Sequence, residues 1–165
     1  MRCCRQWYLT VFSDSHGNLE GVKRLRGDFE ISSKIVFLGD GVNDVSEVLS
    51  NYQDKAVIVK GNCDFTQLYP KQSLFIVEGV TVLAVHGDEF GVKLSLSRLY
   101  EYAKKVNASL VLYGHTHLPK TTEINGVTLV NPGTLSLNGT SKTFAFIKIN
   151  GKDISAKHIL LDKRF

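Results

Sequence analysis

Five short apolar runs, each ending in a cluster of polar residues that contains glycine, constrain the fold of this chain more than any other feature. The runs occupy residues 7–12, 34–38, 56–60, 80–85 and 110–113. Because they are short and rich in Val, Ile and Leu, they are predicted to form buried β-strands. Helical spacing of apolar residues marks stretches at 19–26, 45–52 and 94–106. Asn18 and Asp44 are the expected N-caps of the first two helices.

The last third of the chain changes to paired strands joined by tight turns. Asn125-Gly126 separates runs at 121–124 and 127–130, and Asn150-Gly151 separates runs at 143–149 and 154–161. Asn-Gly between two such runs is typical of a two-residue hairpin turn. Strand–helix units followed by hairpins favour an α/β fold with two packed sheets and helices outside them. The length of 165 residues fits a single domain over 1–165.

The polar clusters contain the residue types that bind divalent cations. Ligands in α/β sheets bind beyond the carboxyl ends of the strands, so neighbouring parallel strands would bring the clusters to one rim. Asp, Asn and His suit borderline-hard cations. Only one of the five histidines, His158, lies outside the clusters, and it is expected to be structural or exposed. The candidate metal ligands are Asp14, His16, Asp40, Asn62, His86, His115 and His117.

One ion rarely binds seven protein ligands and still has room for a water molecule. Two ions that share a carboxylate are therefore expected. Two cations about 3.5–4 Å apart can clamp a phosphate and hold a hydroxide between them. The hydroxide is available near neutral pH because the metals lower the pKa of the water they bind. The pattern therefore predicts hydrolysis of a phosphate ester. Asp40, Asn62, His86 and Asp64 are the candidate catalytic residues.

The motifs resemble those of the calcineurin-like metallophosphoesterases, and more narrowly those of the small bacterial and archaeal phosphodiesterase branch related to YfcE. The resemblance covers nearly the whole chain, through the motifs Asp14-Ser-His16, Gly39-Asp40, Gly61-Asn62-Cys63-Asp64, His86-Gly87, Gly114-His115-Thr-His117 and Asn131-Pro132-Gly133-Thr134. It implies a four-layer α/β/β/α sandwich with two mixed β-sheets. This implied fold agrees with the alternation of strands, helices and hairpins.

The resemblance also implies a role for each ligand. Asp14, His16 and His117 would hold the first metal. Asn62, His86 and His115 would hold the second, and Asp40 would bridge both. The implied cofactors are two divalent ions, with Mn²⁺ favoured and Ni²⁺, Co²⁺, Fe or Zn²⁺ as alternatives.

Cys63 is a departure from the wider superfamily, many of whose members have a histidine at this position that contacts the phosphate and assists the leaving group. Cysteine is a poor replacement for that proton donor, because its ordinary pKa is about 8.5. Activity is therefore expected on activated phosphodiesters rather than on alkyl phosphomonoesters. Cys63 is otherwise expected to be a small buried filler. Asp64 is expected to hydrogen-bond a ligand histidine, with a local cap or turn role as the alternative.

Two other functions remain open. The fold also resembles the small subunit of the retromer coat, where the metal pocket is a protein interface, but that subunit resembles Gly-Asp-Phe-Asp where this chain has Gly-Asn62-Cys63-Asp64. The second alternative is a phosphomonoesterase or nucleotide pyrophosphatase of the same fold. The expected partner is a small phosphodiester or nucleotide-like substrate, and a homo-oligomer is left open.

Composition bears on partners and location. No apolar stretch approaches the ~20 residues that span a bilayer, so no membrane partner is expected. The net charge of +4 comes without a dense basic run, so no specific nucleic-acid binding is predicted. Three cysteines, two of them adjacent at Cys3 and Cys4, do not form a disulfide framework and favour a reducing, cytoplasmic location.

Overall fold

The protein is described by a computed structural model that covers residues 6–163. The N-terminal basic segment and the pair Cys3 and Cys4 lie outside the described residues. Ten strands and four α-helices occur in the described part of the chain. The helices are α1 (Leu19–Lys23), α2 (Arg26–Ile31), α3 (Val42–Leu49) and α4 (Ser97–Lys105). Short 3₁₀ turns lie at Ser50–Tyr52, Asp88–Phe90 and Leu161–Lys163.

The first sheet combines three parallel strands with a C-terminal hairpin. Its order is β10-β9-β1-β2-β3, with β1 central. β1 is parallel to β2 and antiparallel to β9, and β2 is parallel to β3. The strands are β1 (Trp7–Phe12), β2 (Lys34–Phe37), β3 (Ala56–Ile58), β9 (Thr143–Asn150) and β10 (Asp153–Leu160). The parallel strands place three of the five polar clusters at one edge of this sheet.

The second sheet is also mixed, in the order β4-β5-β6-β8-β7. β6 lies between β5 and β8 and is parallel to both, while β4 and β7 are antiparallel partners at the two edges. The strands are β4 (Gln72–Val77), β5 (Val80–Val85), β6 (Leu110–Leu112), β7 (Lys120–Ile124) and β8 (Val127–Asn131). The carboxyl ends of β5 and β6 lead into the remaining two clusters.

Three apolar clusters separate four layers. Val11 and Val82, one from each sheet, belong to a buried cluster between the sheets. The next residue of each strand points the opposite way, so Phe12 packs with α1–α3 and Leu83 packs with α4. The predicted α/β/β/α sandwich with two mixed sheets is therefore confirmed. No helix among residues 6–163 is long and apolar enough to cross a bilayer.

Several local predictions were wrong in detail. α3 begins at Val42, three residues before the predicted helix, and its N-cap is Gly41. Asp44 is therefore not an N-cap, and its carboxylate instead accepts hydrogen bonds from Ser15 Oγ (2.7 Å) and Gly17 N (2.8 Å). Asn18 is the N-cap of α1, as predicted, because its Oδ1 accepts from Gly21 N at 2.9 Å.

Two elements were missed. β4 has half-exposed apolar side chains, including Leu74 and Ile76 at 52% and 69% exposed, and it does not end in a polar cluster. Pairing with β5 is what makes it a strand. α2 was missed because it follows α1 after only two residues and contains Gly27, which disfavours helix.

Gly39, just after β2, lies where the loops that follow β2 and β3 pack closely against each other. Its φ is +99°, and a Cβ there would lie 2.8 Å from Gly61 Cα. Gly126 has a similar φ of +83°, but a Cβ there meets no atom of the described residues within 4 Å. We expect Gly126→Ala to lower the free energy of unfolding by about 1–2 kcal/mol, the cost of the left-handed backbone. Gly39→Ala should cost about 3 kcal/mol or more, because the loops must also separate.

Urea unfolding of both variants measures the difference. Equal losses for Gly39→Ala and Gly126→Ala would contradict the close packing of the two loops.

Candidate metal centre

Backbone hydrogen bonds hold the loops after neighbouring strands against one another. Asp14 N donates to Gly39 O at 2.9 Å, and His16 N donates to Asp40 O at 3.1 Å. Gly114 N donates to His86 O at 2.8 Å in the second sheet. These bonds continue the parallel pairing beyond the strand ends. The predicted convergence of the polar clusters on one rim therefore follows from the sheet topology.

The structure brings all seven predicted ligands together, in two neighbouring groups. The first group contains Asp14, His16 and His117, and the second contains Asp40, His86 and His115. Within each group, one ligand atom of every residue lies within 4.8 Å of the others. Asn62 joins the second group, because its Oδ1 lies 3.0 Å from His86 Nε2.

Asp40 lies between the two groups. Its Oδ2 is 3.2 Å from His86 Nε2 and 3.8 Å from His16 Nε2. The same oxygen thus faces one histidine of each group. This position is the one that a carboxylate shared by two cations would need.

Asp14 has a buried carboxylate oxygen that a cation would stabilise. The residue is fully buried, and its Oδ1 has no hydrogen-bond partner within the described part of the chain. Three histidine Nε2 atoms surround this oxygen, at 3.1 Å for His117, 3.7 Å for His16 and 3.9 Å for His86. A buried carboxylate oxygen without a partner is costly. A cation among these four residues would satisfy it.

The spacing of the donor atoms also fits coordination. Bonds of about 2.0–2.3 Å place neighbouring ligand atoms roughly 3.0–3.8 Å apart in octahedral or tetrahedral geometry. The Nε2–oxygen separations that involve His86, from 3.0 Å with Asn62 to 3.9 Å with Asp14, cover this range. Carboxylate, amide and imidazole donors together suit borderline divalent ions. The residues present therefore fit a metal centre.

Charges in the centre are balanced between carboxylates and imidazoles. Burial opposes ionisation of Asp14, but His117 and His16 outweigh burial and hold the pKa of its carboxyl well below the usual value. Burial likewise opposes the charged form of His86, yet Asp40 and Asp14 outweigh it and raise the pKa of His86. Burial, with His86 and Lys93 nearby, lowers the pKa of His115. The carboxylates thus keep a negative potential at the point where a cation would bind.

The sequence profile of the calcineurin-like phosphoesterase superfamily domain matches residues 8–152. The chain belongs to this superfamily. It is 30% identical over 155 residues to the phosphodiesterase YfcE of Escherichia coli K12, with 78% of this chain and 79% of YfcE covered. It is 27% identical over 139 residues to the probable metallophosphoesterase YsnB of Bacillus subtilis, with 82% and 79% covered.

Solved structures agree with this assignment. A conserved uncharacterized protein of Streptococcus pneumoniae, described as a predicted phosphoesterase, aligns with a TM-score of 0.81 and 25% identity over 96% of this chain and 91% of that one. Vacuolar Protein Sorting 29 of Cryptosporidium parvum aligns with a TM-score of 0.77 over 94% and 97% of the two chains. Its identity is only 15%, so it shares the fold alone. Membership of the metallophosphoesterase family implies divalent metals at the centre.

His86 is oriented by the opposite sheet of the metallophosphoesterase fold. Its Nδ1 lies 2.7 Å from Leu38 O, at the end of β2. A carbonyl oxygen only accepts hydrogen bonds, so Nδ1 carries the proton and Nε2 is left free to bind a cation. This contact crosses from the second sheet to the first. Sequence reasoning did not find it because the carbonyl belongs to an apolar residue.

Asp64 has a role other than the predicted bond to a ligand histidine. Its carboxylate accepts hydrogen bonds from four backbone N–H groups, those of Asp40 (2.7 Å), Gly61 (2.8 Å), Gly41 (2.9 Å) and Val42 (3.1 Å). The expectation of a histidine partner was therefore wrong, and the local turn role is the one observed. Asp64 fixes the loop that carries Asp40.

Two side chains of the Asn131-Pro132-Gly133-Thr134 segment hold loops of the centre in place. Asn131 Nδ2 donates to Gly114 O at 3.0 Å and to Thr116 Oγ1 at 2.9 Å. Thr134 Oγ1 donates to Asp14 O at 2.8 Å. These two buried residues therefore hold the loops of His115 and Asp14.

His158 supports the fold, whereas Cys63 lies exposed at the surface. His158 lies in β10 and its Nε2 lies 2.8 Å from Asn131 O, so its structural role is confirmed. Cys63 is exposed, so its expected role as a buried filler was wrong.

Most of the ligand positions are held in an unfavourable backbone conformation. Five of the seven predicted ligands have φ between 40° and 69°, namely Asp14, His16, Asp40, His115 and His117. A left-handed conformation is costly for residues other than glycine and is typical of functional sites. The surrounding hydrogen bonds compensate for this strain.

Removing one oxygen of Asp64 tests its role as an anchor for the metal loop. In Asp64→Asn the new NH₂ group faces two backbone N–H donors, so those donors lose their acceptor. We expect the free energy of unfolding to fall by about 2–4 kcal/mol. Asp54→Asn, at an exposed position, is the matched control and should change stability by less than about 0.5 kcal/mol. Urea unfolding gives both values, and similar values for the two variants would contradict the anchoring role.

Proposed function

We propose that this protein is a dinuclear metal-dependent phosphodiesterase. The observation that carries the proposal is the position of Asp40, whose Oδ2 faces both His16 and His86, beside the unpartnered Oδ1 of Asp14. Asp14, His16 and His117 would hold one divalent ion, and Asn62, His86 and His115 would hold the other. Asp40 would bridge the two.

The residues of the chain act by positioning and by charge. When bound, a pair of divalent cations supplies an acidified water and neutralises charge on the phosphoryl oxygens. Asp14 and Asp40 provide the negative charge that holds the pair. Leu38 O fixes the His86 ring, and Asp64 fixes the loop of Asp40. Mn²⁺ is the proposed ion, as the resemblance to the YfcE-related branch implies, and the carboxylate and amide oxygens of the set suit it.

A phosphodiester is favoured over a phosphomonoester because of the side chain next to Asn62. Cys63 is exposed beside the centre. Partial loss of contact with water and the nearby Asp40 carboxylate raise the pKa of its thiol. A thiol with a raised pKa is a weak proton donor to an alkoxide leaving group. The substrates that remain are small phosphodiesters, including nucleotide-like ones, with good leaving groups.

The alternatives are a non-catalytic scaffold of the retromer-subunit type and a phosphomonoesterase or nucleotide pyrophosphatase. The position of Asn62 Oδ1, 3.0 Å from His86 Nε2, supports the enzyme, because a complete second group of ligands serves catalysis. The names of the relatives YfcE and YsnB, a phosphodiesterase and a probable metallophosphoesterase, support the same choice.

An aryl phosphodiester and the matching aryl phosphomonoester test the proposal in one assay. With Mn²⁺ we expect turnover of the diester to exceed that of the monoester. A chelator should abolish turnover, and added Mn²⁺ should restore it. Turnover of the monoester alone would favour the second alternative. Absence of turnover of both substrates with every divalent ion tried would favour the scaffold.

The bridging role of Asp40 is tested in the same assay with Asp40→Asn. Mutation of a residue that only hydrogen-bonds a metal ligand typically costs about 10–100-fold in metal affinity or activity. Loss of the bridging charge should therefore lower Mn²⁺ affinity by about 100-fold or more, measured by calorimetry. Asp54→Asn serves as the control. Full activity of metal-replete Asp40→Asn would count against the bridge.

Replacing Cys63 by histidine tests the explanation for diester preference. A positioned proton donor contributes 10²–10⁴-fold to rate. We expect Cys63→His to raise the ratio of monoester to diester turnover by about tenfold or more, with Cys63→Ser leaving that ratio unchanged. An unchanged ratio in Cys63→His would refute the explanation.

A further inference from the structure

Cys63 is tied to the candidate metal centre by its own backbone. Its N–H donates to Asp40 Oδ1 at 2.8 Å. The other carboxylate oxygen of Asp40, Oδ2, is the one that faces the histidines. Its side chain is exposed rather than packed into a core. In the proposed function, Cys63 affects proton donation to the leaving group of the substrate. A thiolate is also a metal ligand, and that property has no role in the proposed function.

The Cys63 sulfur belongs to a third group of potential ligands. Sγ of Cys63, a ring nitrogen of His16 and a carboxylate oxygen of Asp40 all lie within 4.8 Å of one another. Bonds of about 2.3 Å to sulfur and 2.0–2.1 Å to nitrogen would place such atoms roughly 3.5 Å apart around a tetrahedral ion. A small movement of the exposed thiol is enough to reach this separation.

The buried oxygen of Asp14 points to a cation beside His16, a member of this group. Asp14 Oδ1 is fully buried and lacks a hydrogen-bond partner among residues 6–163, and it lies 3.7 Å from His16 Nε2. His16 is thus shared by the group that contains Asp14 and the group that contains Cys63. A cation bound near His16 would therefore lie next to both groups.

We propose that Cys63 is an additional metal ligand, whose Sγ joins His16 and Asp40 in binding a thiophilic divalent cation such as Zn²⁺, Co²⁺ or Cd²⁺. The inference rests on the proposed dinuclear centre, because it uses two of its ligands. Binding forms one sulfur–metal bond, and the thiol proton goes to solvent. No oxidant or other reactant is needed.

The sulfur would give the centre two modes of binding. The carboxylate and amide oxygens of the centre suit Mn²⁺, whereas a thiolate shifts preference towards softer ions. Both Cys63 and His16 are exposed, so the thiolate lies on the side from which substrate has access. The sulfur would therefore compete with a phosphate oxygen for a thiophilic ion, whereas it would leave Mn²⁺ accessible to the substrate.

Co²⁺ provides a direct test, because a Co²⁺–thiolate bond produces an intense near-ultraviolet charge-transfer band. The experiment uses the full chain with Cys3→Ser and Cys4→Ser, so that Cys63 is the remaining thiol. We expect the band to appear during Co²⁺ titration and to be absent when Cys63→Ser is added. Calorimetry of the same pair should give a loss of about tenfold or more in Cd²⁺ affinity, with Mn²⁺ affinity changing by less than about threefold.

The outcomes separate this inference from the proposed function. If Co²⁺ binds with visible d–d absorption but gives no near-ultraviolet band, and the Cd²⁺ affinities of the two proteins agree, Cys63 is not a ligand and the dinuclear centre stands. If Co²⁺ does not bind at all and no divalent ion supports turnover, both proposals fail. A Cys63-dependent band supports the inference, whatever the identity of the natural substrate.

Discussion

The Asp14 carboxylate is fully buried, and three histidine rings lie within 3.9 Å of an oxygen that has no hydrogen-bond donor in the described part of the chain. Such an arrangement is unstable unless positive charge is supplied. The Asp14 and Asp40 carboxylates raise the pKa values of His16 and His86, so the centre favours positive charge around these two carboxylates. The strained backbone at Asp14 and Asp40 is retained because this cluster of charges is useful only in that geometry.

The centre exists because two sheets pack face to face. The first sheet contributes the loops of Asp14, Asp40 and Asn62, and the second contributes the loops of His86 and His115. Hydrogen bonds cross between the sheets at the centre itself, from His86 Nδ1 to Leu38 O and from His115 N to Asp14 Oδ2. The apolar cluster that contains Val11 and Val82 keeps the sheets at the distance that these bonds need.

The same fold is shared with Vacuolar Protein Sorting 29, so architecture alone does not define what this chain does. Function depends on the donor atoms at the rim. Asn62 would complete the second group of ligands, and Cys63 places a thiol at the position where many members of the wider superfamily carry a histidine. On the proposals made above, the Cys63 side chain would affect both the choice of substrate and the choice of metal.

The sequence by itself determined most of the strand and helix pattern, the four-layer fold class and a set of seven candidate ligands, because the candidates follow apolar runs and the family motifs occur in order. Tertiary structure decided the partners of the supporting residues. Asp64 binds four backbone N–H groups instead of a histidine, Asp44 ties down the Ser15 loop instead of capping α3, and β4 forms only by pairing with β5. Local patterns record which residues follow a strand, whereas hydrogen-bond partners and exposure depend on chain segments that are far apart in sequence and meet only when the sheets pack.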